Sequence, residues 1–235
     1  MRSQLFTRGQ VEWALWKFST IDLPAGEESV STFRARVKHL LQLDRSGAIQ
    51  GHPADPPPVA HALSLEGPGG TGVDAAFTAF DAFCLAVAID FLRSGFKQAE
   101  VLLLMLHLRP WLQRPFTKIL CAPPPYRSRR TVKTFSDAVK ELSAEDRRVF
   151  LVIHRVEFSE KSPAFGRPTF RQSAATVFRD PMFCNGVNEL RNYLDKMDHT
   201  FRRAIVLEIA HMAARIAELL NQAPLKRRGR PHKRV

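Results

Sequence analysis

Cysteine is scarce and scattered. Cys84, Cys121 and Cys184 lie far apart and none stands in a Cys-x-x-Cys pair, so the spacing encodes neither a disulfide framework nor a zinc site, and a reducing compartment is expected. The start, Met1-Arg2-Ser3-Gln4, lacks the apolar run of a secretory leader, which sets the expectation of a cytoplasmic protein. Long apolar runs are missing as well. The most apolar stretch, residues 77–108, is interrupted by Asp81, Asp90, Arg93, Gly95, Lys97 and Glu100, short of the ~20 uninterrupted residues that span a bilayer. No membrane partner is expected.

Signatures of catalysis are equally sparse. Eight histidines are spread along the chain without a His-x-x-x-His or His-Glu-x-x-His pair, and His107 and His211 sit in helical runs where surface or core roles are the ordinary reading. Gly67-Pro68-Gly69-Gly70-Thr71-Gly72 is glycine-rich but has no Lys before a Ser or Thr and follows no strand, so it is no phosphate loop. There is no Gly-x-Ser-x-Gly elbow. Of the two tyrosines, Tyr126 stands beside Arg127, Arg129 and Arg130, yet the Arg/His constellation of a tyrosine recombinase cannot be read around it. The expectation is a protein that is not an enzyme, with no cofactor, no metal and no identifiable small-molecule ligand.

What the chain has is positive charge. Thirty-five Lys and Arg against 23 Asp and Glu give a net +12 over 235 residues, which calls for a polyanionic partner: nucleic acid, an anionic membrane face or an acidic protein. Six of those charges fall in residues 225–235, which contain no acid, so the rest of the chain is only mildly basic.

Periodicity predicts a mainly helical chain. Val11, Leu15 and Phe18 repeat at helical spacing behind a capping Thr7, predicting a helix over residues 8–19 with Trp13 and Trp16 beside its main stripe. After a Pro- and Gly-containing turn a second helix starts at Ser31, with Phe33, Val37, Leu40 and Leu41 on one face, Arg34, Lys38 and Arg45 on the other, and Arg36 and His39 at the margins. Residues 51–73, rich in Pro and Gly around a short apolar piece, read as a loop or wing-like linker. Residues 77–94 and 96–109 form a helix–Gly95–helix hairpin that Pro110 ends. Residues 116–134, with Pro123-Pro124-Pro125 and a basic run, read as a linker between an N-terminal domain, 1–115, and an α-rich region, 135–222. In the latter, 149–158 is β-branched like a strand whose partner is not evident, and 187–197 and 200–220 are helical.

The pieces Thr7-Arg8-Gly9-Gln10-Val11 and Val30-Ser31-Thr32-Phe33-Arg34-Ala35-Arg36, followed by residues 77–94 and then Gly95-Phe96-Lys97-Gln98-Ala99-Glu100-Val101, resemble in their order the helix-turn-helix and later helix pair of MerR-type transcriptional regulators. The resemblance covers roughly the first half of the chain. It implies an N-terminal helix-turn-helix domain whose second helix enters the major groove. Ser31, Thr32, Arg34 and Arg36 then face base edges, where Arg matches the O6/N7 edge of guanine, and Lys38 and Arg45 hold phosphates. A homodimer reading two half-sites is expected, with the helix over 200–220 as its surface.

Residues 223–235 are a second signal. Lys226, Arg227, Arg228, Gly229, Arg230, Pro231, Lys233 and Arg234 resemble an AT-hook, an extended disordered basic tail whose Arg-Gly-Arg-Pro core lies in the narrow minor groove of A·T-rich DNA. Gly229 allows close approach, Pro231 keeps the chain extended, and the flanking cations neutralise phosphates. The expected partner is therefore double-stranded DNA, and the expected location the cytoplasmic nucleoid. Two alternatives stay open: an architectural or replication-associated DNA-binding protein without a defined operator, and a protein-interaction module whose basic tail touches RNA or membrane.

Overall fold

The computed structural model describes residues 4–20, 29–46, 60–64, 76–121, 146–157, 170–173, 176–178, 181–196 and 204–224, with backbone alone at 155–157, 170–173 and 176–178. These residues are mainly helical. β1 (Phe6–Thr7) leads into α1 (Arg8–Ser19), and α2 (Val30–Ser46) follows. β2 (Ala76–Phe77) leads into α3 (Ala79–Arg93) and α4 (Gln98–Cys121). The two short strands pair antiparallel, Phe6 opposite Phe77 and Thr7 opposite Ala76.

A threonine starts the helix after each strand by the same reciprocal device. Thr7 Oγ1 accepts the Gln10 N–H at 3.4 Å while Gln10 Oε1 accepts the Thr7 N–H at 3.0 Å. Thr78 Oγ1 accepts the Asp81 N–H at 3.1 Å while the Asp81 carboxylate accepts the Thr78 N–H at 2.7 Å. Each box satisfies two amides that the first helical turn would otherwise leave open. Thr7 as cap and α1 over residues 8–19 match the expectation from sequence. The first helix of the hairpin expectation starts later than expected: residues 76–77 are strand, and α3 starts at Ala79 because Thr78 and Asp81 close the box there.

Between α3 and α4 the chain reverses at Gly95, whose φ of +90° suits glycine. The Gly95 N–H donates to Leu92 O at 3.1 Å and the Phe96 N–H to Phe91 O at 3.2 Å. The Phe91 and Phe96 rings close the corner at 5.7 Å. The hairpin is as the sequence suggests, but its second arm is not: α4 runs through Pro110 and Pro115 to Cys121, so residues 116–121 belong to the helix and not to a linker. Each proline removes one ladder bond and costs ~3 kcal/mol. Burial of Leu112, Phe116 and Ile119 on the continuing stripe, at about 1.5–3 kcal/mol apiece, together offsets that cost.

Residues 60–64 have neither helix nor strand, as in a loop, but their middle is packed into the core. Within the stretch expected to be a wing-like linker, Ala62 and Leu63 are fully buried. Their N–H groups donate to Asp44 of α2 at 2.7 and 3.1 Å, and the Ala62 carbonyl accepts from Arg109 of α4 at 3.3 Å. The Pro/Gly composition around this piece hid a core contact made by two small-to-medium apolar residues.

Among the described residues, the second half adds a sheet and two helices. β3 (Val149–Glu157) pairs antiparallel with β6 (Met182–Asn185), with β7 (Ala204–Glu208) and, at its end, with β5 (Thr176–Phe178), which pairs in turn with β4 (Phe170–Ser173). The strand expected at 149–158 thus has three partners. Helix α5 (Gly186–Asp195) follows β6, and α6 (Ile209–Gln222) follows β7. The single helix expected over 200–220 is corrected: Ala204–Glu208 is strand, since Ile205 and Val206 are β-branched and lie opposite Ile153 and Val152 of β3. Glu208 ends the strand and caps α6, its carboxylate accepting the Ala210 and His211 N–H groups at 2.9 and 3.0 Å.

The apolar stripe of α6, Ile209, Met212, Ala213, Ile216, Leu219 and Leu220, is buried and packs on α1, α3 and α4. One continuous core therefore joins α1 to α4 with β3 and α6. The expected dimer surface on this helix is corrected by that packing: its apolar face is consumed inside the chain.

At the centre, Arg109 is 2% exposed. Its guanidinium is ion-paired with Asp81, bonded to Ala62 O and stacked over the Phe80 ring at 5.1 Å. Removing one partner of a buried pair strands the other's charge. Arg109→Met is expected to lower the unfolding free energy by about 3–5 kcal/mol in urea titrations. The double variant Arg109→Met/Asp81→Asn, which keeps the helix cap, should recover part of that loss. An additive double variant would show that the pair is not coupled.

Candidate nucleic-acid interface

Helix α2 separates its residues as the spacing predicts. Phe33, Val37, Leu40 and Leu41 are buried, with Phe33 edge-on to Trp16 of α1 at 5.4 Å. Ser31, Thr32, Arg34, Lys38 and Arg45 are exposed, and Arg36 is half-buried at the margin. Ser31, Arg34, Lys38 and Arg45 follow one another at three, four and seven residues, so they share one line along the helix. The sole carboxylate of α2, Asp44, is turned inward onto the Ala62 and Leu63 amides. Burial raises its pKa, against the lowering effect of those two amides. The outward face consequently carries cations and hydroxyls with no acid among them.

Two details were not legible beforehand. Ser29, outside the expected helix, accepts the Thr32 N–H at 3.1 Å and lies 2.8 Å from Ser31 Oγ and 2.9 Å from Thr32 Oγ1. Three hydroxyls thus cluster at the exposed N-terminal turn. Arg34 Nε lies 3.7 Å from Glu12 Oε2 of α1, and the other Glu12 oxygen lies 2.6 Å from Arg8 Nε. Arg34 is oriented from the neighbouring helix rather than splayed into solvent. At the far side His39 Nδ1, 2.5 Å from Gln98 Oε1, ties α2 to the start of α4.

The tail residues Lys226, Arg227, Arg228, Gly229, Arg230, Pro231, Lys233 and Arg234 lie outside the described residues. The structure therefore brings together one of the two expected DNA-contacting groups.

A concave surface away from α2 went unnoticed in the sequence. A cleft of about 950 Å³ lies between the later turns of α4 and the start of β3 with β6. Pro110, Trp111, Arg114, Pro115, Lys118 and Ile119 form one wall. Their positions recur every four residues, next to the stripe that buries Leu112 and Phe116. Opposite lie Arg147, Arg148, Val149, Phe183 and Asn185. The proline rule that ends a helix at residue 109 concealed this wall, although Trp111, Arg114 and Lys118 do stand at helical spacing.

Asp146 organises the opposite wall. It accepts from Arg148 Nε and Nη2 at 2.7 and 2.9 Å and from the Val187 N–H at 2.8 Å. Gly186, at φ +78°, lets the chain turn against it, since a Cβ there would meet the Asp146 carboxylate at 3.3 Å.

Among the described residues no helix is long and apolar enough to cross a membrane, and no group of three or more His, Cys, Asp or Glu side chains is placed to hold a metal. No family model, curated protein or solved structure matches the chain.

The hydrogen bond from Arg148 holds the Asp146 pKa down to about 2, from an ordinary 3.8. A depressed carboxylate stabilises the fold above its unfolded pKa, and that contribution disappears as pH falls through the folded one. Asp146→Asn should accordingly lower the urea midpoint at neutral pH, and the gap to the parent should narrow between pH 3.8 and about 2. A gap independent of pH would mean that the carboxylate charge contributes nothing.

Proposed function

We propose that the chain is a DNA-binding transcriptional regulator. In this reading α2 is laid in the major groove, and the basic residues 226–234 add affinity for A·T-rich minor groove. The observation that carries the reading is the outward face of α2: an exposed hydroxyl cluster at its N-terminal turn, then Arg34, Lys38 and Arg45 in line, with no carboxylate turned outward. The net charge of +12 supports it. So does the resemblance of residues 7–11, 30–36, 77–94 and 95–101 to MerR-type regulators.

The roles are divided by chemistry. Ser31 and Thr32 offer hydroxyls that donate or accept, Arg34 and Arg36 reach base edges, and Lys38 and Arg45 neutralise phosphates. The protein works as a homodimer on two half-sites, through a surface other than the buried stripe of α6. Met182, Val187 and Leu194, which are exposed around α5, offer apolar area for it.

Selection of bound fragments from genomic DNA should return a paired, regularly spaced motif. Arg34→Ala should flatten discrimination at one position of each half-site, a loss of about 1–3 kcal/mol, whereas Lys38→Ala should weaken all sites alike and reduce the salt slope by about 1. Arg230→Ala should weaken binding to A·T-rich duplexes. Because Arg34 is itself exposed and Glu12 keeps its closer partner Arg8 at 2.6 Å, the Arg34 variant stays folded. Enrichment of A·T-rich DNA without half-sites would favour an architectural protein. Absence of duplex binding at low salt would sink the proposal.

A further inference from the structure

We propose that the cleft between α4 and the β3–β6 sheet is a binding site for a small aromatic anion, of which a nucleoside monophosphate is the simplest form. The site is separate from the α2 face and stands whether or not the chain binds DNA.

Shape comes first. At about 950 Å³ the cleft has the size of a small-molecule site rather than a flat macromolecular contact. Both walls contribute apolar lining, from Pro110, Pro115 and Ile119 on one side and Val149 and Phe183 on the other. Trp111, on its rim, is 51% exposed, the largest apolar side chain left to solvent among the described residues. An indole with a free face is a stacking platform for a planar ring, an interaction of about 1–3 kcal/mol per base in nucleic-acid sites.

Charge selects the other half of the ligand. Among the described residues, Arg114, Lys118, Arg147 and Arg148 line the cleft against one carboxylate, Asp146. Asp146 is committed to Arg148, bonded to both its Nε and its Nη2, and the Arg148 guanidinium lies 5.8 Å from the Phe150 ring. Among the described residues no carboxylate pairs with Arg114 or Lys118, and these two lie one turn apart on the same helix face as Trp111. A phosphate or carboxylate between them would complete the charge balance, while its ring rests on the indole. Trp111 at position i, Arg114 at i+3 and Lys118 at i+7 thus divide the ligand into an aromatic end and an anionic end.

Calorimetric titration of the full chain tests this with four probes: AMP and 1-naphthyl phosphate, which have both halves, and adenosine and inorganic phosphate, which have one each. AMP and 1-naphthyl phosphate should bind with one-to-one stoichiometry at least about tenfold more tightly than either half. Arg114→Gln/Lys118→Gln and Trp111→Ser should each lose about tenfold or more, and Trp111→Phe should stay within about threefold of the parent. The indole N–H resonance of Trp111, assigned by its absence in Trp111→Phe, should move on addition of AMP. All these side chains are exposed, and an unchanged urea midpoint confirms that the variants fold. Equal affinity for inorganic phosphate and AMP would overturn the proposal, as would parental affinity in the Arg114/Lys118 variant. A Trp111 resonance that responds to duplex DNA but to neither AMP nor 1-naphthyl phosphate would likewise overturn it and assign the cleft to nucleic acid.

Discussion

Asp81 uses both carboxylate oxygens, and the architecture turns on how they are spent. Oδ2 accepts from Thr78 and so fixes where α3 begins; Oδ1 takes the guanidinium of Arg109. Arg109 in turn holds the Ala62 carbonyl, while the amides of Ala62 and Leu63 rest on Asp44 of α2. Four pieces of chain distant in sequence are thereby registered through one polar chain in an apolar core. Burying an Arg and an Asp together is costly unless their hydrogen-bonding capacity is met. Here helix cap, carbonyl and aromatic face meet it. Burial pushes the nearby Cys84 thiol up to about 12, against the lowering effect of Arg109.

That internal register is what gives the outer face of α2 its character. Because Asp44 is committed inward, no acid on the helix opposes Arg34, Lys38 and Arg45, and because Phe33, Val37 and Leu40 are buried, those cations must point outward. The cleft arises from the same logic on α4. Leu112 and Phe116 are drawn into the core, which leaves Trp111, Arg114 and Lys118 on the adjoining side of the helix. One helix thus serves the central ion pair at residue 109 and, directly after it, the cleft.

Local patterns were readable in the sequence wherever one face of one helix settles the matter. The cap at Thr7, the span of α1, the division of α2 into apolar and cationic faces, and the glycine reversal at Gly95 all follow from spacings within one or two turns. Long-range demands were not readable. Ile205 and Leu207 fit a helical stripe with Ile209 as readily as an alternating strand, and only the edge of β3 selects the strand. Pro110 ends a helix by local rules, yet the core beyond it extends the helix to Cys121. Ala62 and Leu63 sit among prolines and glycines, and their burial depends on Asp44 and Arg109, far away along the chain. The cationic line on α2 was visible, whereas the cleft, built from α4 and the sheet together, was not.

The packing of α6 on α1, α3 and α4 bears on how the molecule is made. A ribosome releases α1 to α4 long before residue 209 emerges, and until then the apolar surfaces that α6 will cover stay open to solvent and to other nascent chains. Such late, long-range closure slows folding, since a large loop must be ordered before the final contacts form. It also makes the protein's integrity a single event: the helix that finishes the core is synthesised directly ahead of the basic residues at 226–234, so that a chain carrying the complete cationic tail has necessarily already acquired the element that closes its interior.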